Sequence, residues 1–244
     1  METLDVLRSH VSVRDFKAEP LDKEVKKQLL LAAHAGSSSN FVQAVSIIEV
    51  TDEKIRSQIA QISQSAAYVN KSGAFYVFVA DLYRQAFLLK KHKKSLAPLQ
   101  NMESLLVSVV DTTIAGENMA VAAEALGLGI CFIGGIRNDL NKVSELLHLP
   151  PYTVPLFGLT IGIPATKNGI KPRLPLKNFV SENGYDTQNF TDLAAYDAQM
   201  KDYYLSRSSN PKDMDWSRSQ LQFFKEIRRS EVRDFIRKQG FVLE

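Results

Sequence analysis

A single cysteine, Cys131, stands in the 244 residues of this chain, so neither an intramolecular disulfide nor a thiolate zinc site is possible. Its neighbours Ile130, Phe132 and Ile133 predict a buried strand thiol. Charge of either sign is not in large excess. The net value of +3 is too small to require a polyanionic partner, and the run Lys90-Lys91-His92-Lys93-Lys94 reads as a solvated loop rather than a nucleic-acid patch. Long apolar runs are missing, since nothing approaches the ~18 residues of a membrane span. Residues 1–8 carry Glu2 and Asp5 and no apolar h-region, so no export signal is expected. The chain is therefore expected to be cytoplasmic, with neither nucleic acid nor membrane as partner. Repeats and low-complexity tracts are also absent. No Gly-x-Gly-x-x-Gly follows a first strand with an acid downstream, which excludes a dedicated dinucleotide domain. No Ser/His/Asp or Cys/His set points to a side-chain nucleophile.

What is present is enough apolar material, 45% of the residues, to bury a full core, and the length fits one domain spanning 1–244. Residues 3–9 read as a short helix with Leu4 and Leu7 on one face. The next helix has Asp22 as N-cap, Val25, Leu29, Ala32 and Ala33 as its inner stripe, and Gly36 where a left-handed C-cap residue fits. A strand is expected over 45–50, then a helix capped by Thr51-Asp52-Glu53 and running through Ile62. Residues 74–80 are almost continuously apolar, the pattern of a strand buried on both faces at the centre of a sheet. Residues 101–126 read as one long helix whose apolar positions, Leu105, Leu106, Val109, Ile114, Ala120 and Ala123, cover more than one narrow stripe, so it has several neighbours. Gly127 and Gly129 end it. Strands over 130–133 and 154–163 follow, with a helix from near Asn138 through Leu147 between them, and Pro164 closes the second strand. Residues 192–207 are helical, and the basic tail over 225–240 reads as a helix folded back on the body.

Four stretches carry candidate chemistry. In Ser9-His10-Val11-Ser12-Val13-Arg14-Asp15-Phe16 an imidazole, a hydroxyl and a guanidinium alternate, so an extended backbone turns His10, Ser12 and Arg14 to one side, a row that suits an anion. The plain alternative is a polar surface loop. Gly36-Ser37-Ser38-Ser39-Asn40-Phe41 offers hydroxyl and backbone donors without bulk, or else is a flexible linker. Gly134-Gly135 after a strand lets a flat ligand lie against backbone amides, or is a strand-to-helix turn. Lys171-Pro172-Arg173-Leu174-Pro175 fixes two cations on one side of a proline-stiffened backbone, which would clamp a phosphate, though it also reads as a surface loop.

The octet resembles the opening of the flavin reductase and oxygen-insensitive nitroreductase family, FMN enzymes whose chains begin with a helix and then His-Arg-Ser-x-Arg-x-Phe. His10, Ser12, Arg14 and Phe16 match, whereas Val11 stands where that subgroup often has Arg. Ala66 stands where relatives usually keep a Gln for the flavin pyrimidine. Lys171 and Arg173 match residue by residue. Tyr203-Tyr204-Leu205-Ser206-Arg207-Ser208-Ser209-Asn210 is similar to the family's Tyr-Tyr-x-x-Arg-Gly-Ser-Asn, with Lys212 in place of a following Arg. The resemblance runs from Leu4 to Gly240.

It implies an α+β fold around a mixed, mainly antiparallel sheet flanked by helices, with a helical C-terminal excursion, and a homodimer binding FMN at the subunit interface. It also implies an NAD(P)H oxidoreductase using NADPH, with NADH as a possible donor, and passing electrons to nitroaromatics, quinones or free flavin. By this resemblance His10, Ser12, Lys171 and Arg173 hold the FMN phosphate, and Arg14 lies at the N1/O2 rim. Ser38, Ser39 and Asn40 contact ribityl or ring, and Ile133, Gly134 and Gly135 present backbone near N5. Phe41 and Glu103 line the substrate side, and Arg207 and Lys212 take the phosphates of NADPH. No metal is implied. The rival classes are a non-catalytic flavin- or nucleotide-binding module and a basic interaction protein.

Overall fold

The computed structural model describes residues 2–207 and 210–242. The chain forms two compact units, residues 1–168 with 229–244, and residues 169–228. The first unit contains, in order, α1 (Thr3–Arg8), α2 (Lys23–His34), β1 (Val45–Glu49), α3 (Glu53–Ile62), α4 (Ala66–Val69), β2 (Ala74–Asp81), α5 (Tyr83–Lys91), α6 (Met102–Ala125), β3 (Gly129–Ile133), α7 (Leu140–Leu146) and β4 (Thr153–Gly162). The second contains α8 (Thr187–Thr191), α9 (Ala194–Leu205) and α10 (Trp216–Phe223), after which α11 (Val232–Lys238) belongs again to the first.

The sheet has four strands in the order β1-β2-β4-β3, and every neighbouring pair is antiparallel. The expected parallel component is confined to an isolated bridge between Ser12 and Ile130. As its apolar run requires, β2 is central and buried along its whole length. Its alternation supplies two cores. Tyr76 and Phe78 join Leu29 and Ala33 of α2 and Met119 and Ala123 of α6 on one face. Phe75, Val77 and Val79 join Ile59 of α3, Val143 of α7 and Ile133 of β3 on the other. Pro155 of β4 has no N–H to give the ladder, and a register shift falls beside it at Phe78/Val79. The carbonyl of Leu156 in this irregular stretch accepts a hydrogen bond from the Arg137 guanidinium. At the β1 edge of the sheet, Arg84 donates to the carbonyls of Gln43 (3.0 Å) and of Val45 (2.6 Å), the first residue of β1.

Caps follow side-chain chemistry. Asp22 accepts from the Glu24 amide, Asp52 from those of Lys54 and Ile55, and Asn101 from that of Ser104. Gly36 does not take the left-handed conformation. α2 ends at His34 with Ala35 as its C-cap, and at 36 a Cβ would crowd Ile114 of α6 at 3.1 Å, a tight fit that favours glycine. α7 begins near Asn138 as expected, with Asp139 as its cap, after a short 3-10 turn over Gly134–Asn138. Lys90 and Lys91 close the last turn of α5 instead of lying in a loop, a favourable place for cations. The tail is helical only over α11 rather than over 225–240. It does fold back within the first unit, where Gln239 O accepts from the Tyr152 amide at 2.8 Å and the Val242 amide donates to Gln100 O at 2.6 Å.

α6 corrects one expectation, for its 24 residues with hydropathy 1.3 are long and apolar enough to cross a membrane. Its inner stripe, including Leu105, Ser108, Asp111, Thr112, Ala115 and Met119, is instead buried against protein. A second stripe remains open in the single chain, with Leu106 51% and Val110 52% exposed. The pairing of Leu4 with Leu7 is similar. Both are exposed, and Val6 is the residue of α1 that enters the core.

Candidate functional site

The octet lies at the start of β3. The Val13 amide donates to Ile130 O at 2.8 Å, and a Cβ on Gly129 would lie 2.6 Å from Val13, so glycine is what lets the octet approach. The alternation holds through Arg14, with Val13 buried between Ser12 and Arg14. It breaks at Phe16, which is itself buried and bridges to Pro164 at the end of β4. His10 Nδ1 sits 2.8 Å from Glu124 Oε1 near the end of α6. A carboxylate only accepts, so Nδ1 carries a proton and the ring orientation is fixed. Arg14 is exposed and lies against Cys131. Cys131 is buried on β3 as expected, and burial pushes its thiol up while Arg14 opposes the shift.

From Ile130 to Ile133 β3 advances about 10 Å, a span comparable with the ring system of a flavin. Ile133 is buried, and beyond it the glycines have separate reasons. A Cβ at Gly135 would overlap the Ser63 carbonyl, so that glycine serves packing. At Gly134 a Cβ would meet the Arg137 guanidinium at 3.1 Å. Burial, with Arg229 nearby, lowers the pKa of Arg137, while Arg229 donates to Asn138 Oδ1 at 2.9 Å. The donors and cations of the octet, followed by a backbone free of Cβ at Gly134, suit a flat ligand that ends in a phosphate.

The serine loop is a separate group within the first unit. Ser38 Oγ donates to Asp111 Oδ2 at 2.7 Å, and the Ser39 amide donates to Asp111 Oδ1 at 3.1 Å. Asn40 and Phe41 have φ of 46° and 56°, and Phe41 is 78% exposed. Glu103 is exposed in the first turn of α6, where its charge complements the helix dipole. Asp111 and Glu124 are 13 residues apart on α6, so the anchors of the serine loop and of His10 are separated by about 20 Å of helix.

In the second unit the sequence motifs converge on one ring. Lys171 Nζ lies 5.1 Å, Arg207 Cζ 6.0 Å and Lys212 Nζ 4.6 Å from the centre of Tyr204. Tyr204 is buried with Tyr196 and Met200 of α9. The Tyr196 hydroxyl donates to Pro172 O at 3.0 Å, which ties the stiff Lys171–Arg173 segment to α9. Arg173 is exposed near Tyr196 and acts on its phenol. Ser208 and Ser209 of the motif lie outside the described residues. Among the described residues no group of three or more His, Cys, Asp or Glu side chains could hold a metal ion.

Sequence reasoning missed Asp111, Glu124 and Arg137, and it placed Tyr204 in a motif without its role as the ring that Lys171, Arg207 and Lys212 approach. Asp111 did leave a trace, for a carboxylate interrupts an apolar stripe at helical spacing, where a charge is retained only with partners.

Residues 7–163 match the family model described as "Nitroreductase family", and residues 171–244 match "Nitroreductase family, C-terminal domain". The chain is 40% identical over 243 residues to "FMN reductase (NADPH)" of Bacillus subtilis, covering 98% of each. It is 38% identical over 239 residues to "Oxygen-insensitive NADPH nitroreductase" of Salmonella typhimurium, again covering 98% of each. Its structure is similar to that of the NfrA1 nitroreductase from B. subtilis, with TM-score 0.94, 38% identity and coverage of 98% of this chain and 99% of that one. It is also similar to the NADPH:FMN oxidoreductase of Vibrio harveyi solved with NAD+, with TM-score 0.87, 34% identity and 98% coverage of both.

Proposed function

This chain belongs to the nitroreductase family, and we propose, from that premise, how its residues serve an NADPH-dependent FMN oxidoreductase acting on nitroaromatics, quinones or free flavin. The observation that carries the assignment of roles is the octet laid against β3 with His10 fixed by Glu124. When bound, FMN supplies two-electron chemistry at N5 between a nicotinamide and an acceptor. His10, Ser12, Lys171 and Arg173 hold its phosphate through charge-assisted hydrogen bonds. Arg14 places a permanent cation at the N1/O2 rim, where negative charge develops on reduction. Ile133, Gly134 and Gly135 present backbone toward N5, while Ser38, Ser39 and Asn40 contact ribityl or ring. Phe41 and Glu103 line the substrate side. Arg207 and Lys212 bind the phosphates of NADPH, and a lysine, lacking the bidentate fork, grips the 2′-phosphate less selectively than an arginine. No side chain acts as a nucleophile.

We further propose that residues 1–244 act as one FMN-binding domain and that the protein is a cytoplasmic homodimer without nucleic-acid or membrane partners. The open stripe of α6 at Leu106 and Val110 supports the dimer. So does the length of α6 between the anchors of His10 and the serine loop, because a second copy would bring its own serine loop to the flavin held by this octet.

The test is the absorbance of purified protein before and after anaerobic NADPH, with released pigment identified by mass. About one FMN per chain, bleached by NADPH, is expected from one such phosphate site. A yellow protein that NADPH leaves unchanged would indicate a flavin-binding module. A colourless one that binds polyanions with steep salt dependence would indicate an interaction protein.

A further inference from the structure

Residues 38–44 contain an unusual concentration of left-handed backbone. Asn40, Phe41 and Gln43 have φ of 46°, 56° and 52°, and none of them is glycine. Side chains with a Cβ enter that region against steric resistance, so such a segment keeps its shape only where its surroundings hold it. Packing secures only its C-terminal end, where Ala44 is buried and Val42 packs against the core. Asn40 and Phe41 are exposed, and a cavity of about 470 Å³ lined by Ser38, Gln43, Gln85 and Asp111 among others adjoins the segment.

Hydrogen bonds tie the rest of the segment down, and they converge on one carboxylate. Asp111 is 2% exposed. It accepts from the Ser38 hydroxyl at 2.7 Å, the Ser39 amide at 3.1 Å and the Ala44 amide at 2.9 Å, which are the two ends of the segment. Among the described residues no cation is paired with it. A buried carboxylate satisfied only by loop donors needs the loop as much as the loop needs it. Ser38 Oγ in turn accepts from the Gln43 amide at 2.7 Å, and Gln85 of α5 donates to Val42 O, also at 2.7 Å.

We propose that Asp111 is a positioning residue for the electron acceptor: acting through residues 38–44 it fixes the exposed Phe41 side chain and thereby decides how well nitroarenes and quinones are used. The inference rests on the placement of Phe41 at the substrate side. NADPH has a second hold through its phosphates at Arg207 and Lys212. A nitroarene or quinone has no phosphate, so its orientation depends on the flavin, on Glu103 and on the loop. Ser38, Ser39 and Asn40 also touch the flavin, so the comparison is made with FMN saturating, where loosening the loop affects the acceptor, which lacks the phosphate hold, more than the donor.

The experiment uses the FMN-loaded protein with Asp111→Asn, an isosteric change that turns an amide donor toward N–H groups. Amide exchange over 38–44 should speed up by about tenfold while the remainder of the chain stays within about twofold. For p-nitrobenzoate or benzoquinone kcat/KM should fall by about tenfold, and the rate of flavin bleaching by saturating NADPH should change by less than about twofold. Gln85→Met cuts an independent tie to the same loop and should give the same signature more weakly, which keeps the test decisive if Asp111→Asn does not fold. Equal losses for donor and acceptor overturn the proposal, as do unchanged acceptor kinetics beside faster exchange. A wild-type protein that NADPH does not bleach overturns the functional reading itself, and the exchange measurement then still reports whether Asp111 holds the loop.

Discussion

The hydroxyl of Tyr76 is buried on β2 without a hydrogen-bond partner among the described residues. Removing it discards a desolvated polar atom and leaves the ring packing, so Tyr76→Phe should stabilise the protein by about 1 kcal/mol, read as a higher urea midpoint at constant slope. Burial, reinforced by Glu49, raises the pKa of this phenol. The unfolded phenol ionises near pH 10. The stability linked to the protonated form is therefore complete below that pH and is lost as the pH climbs toward the folded value. Tyr76→Phe should flatten that alkaline decline. Arg14 is exposed beside buried Cys131 and carries a permanent charge. Arg14→Ala is expected to lower the two-electron midpoint potential of bound FMN, by roughly 30 mV for each 1.4 kcal/mol of differential stabilisation lost. An unchanged potential with weakened FMN binding would assign Arg14 to the phosphate instead.

At the scale of elements, close approach decides several positions that look interchangeable in sequence. A Cβ at Gly116 of α6 would lie 2.7 Å from the Phe157 ring of β4, and that ring is stacked on Phe78 with centroids 5.1 Å apart. The ring cannot retreat without disturbing the central strand. Gly116→Ala should cost about 1–3 kcal/mol, visible as a lower Tm with FMN present and absent. The long helix α6, helices α2, α3 and α9, the central strand and the caps Asp22 and Asp52 were legible because propensity, periodicity and capping chemistry are local, whereas α5 was not, its Lys90 and Lys91 having been read as a loop. Gly36 was misread because its role depends on what approaches from elsewhere, and the 3-10 turn before α7 was not visible for the same reason. At Gly36 that is Ile114 of α6, and around Asn138 it is the Arg229 side chain. The candidate site was legible as a set of motifs. Its supports, Glu124 beneath His10 and Asp111 beneath Ser38, are separated from their partners by 114 and 73 residues, and no local pattern joins such positions.

For the whole molecule, the open apolar stripe of α6 makes oligomeric state and cofactor retention one question. Leu106→Glu places a charge in that stripe and, if two copies meet there, should produce monomers in sedimentation at micromolar concentration and weaken FMN retention together. A variant that remains dimeric and yellow would move the interface elsewhere. α6 also connects distant parts of the first unit, since Asp111 reaches residues 38–44 and Glu124 reaches His10. Inserting one residue between positions 111 and 124 would turn the remainder of the helix by about 100° and slide it by about 1.5 Å. His10, the octet behind it and the Phe157 packing would lose register in one event. A change of length in α6 should therefore be far less tolerated than any single substitution along it, so divergence of this helix should proceed by replacement and leave its residue count unaltered.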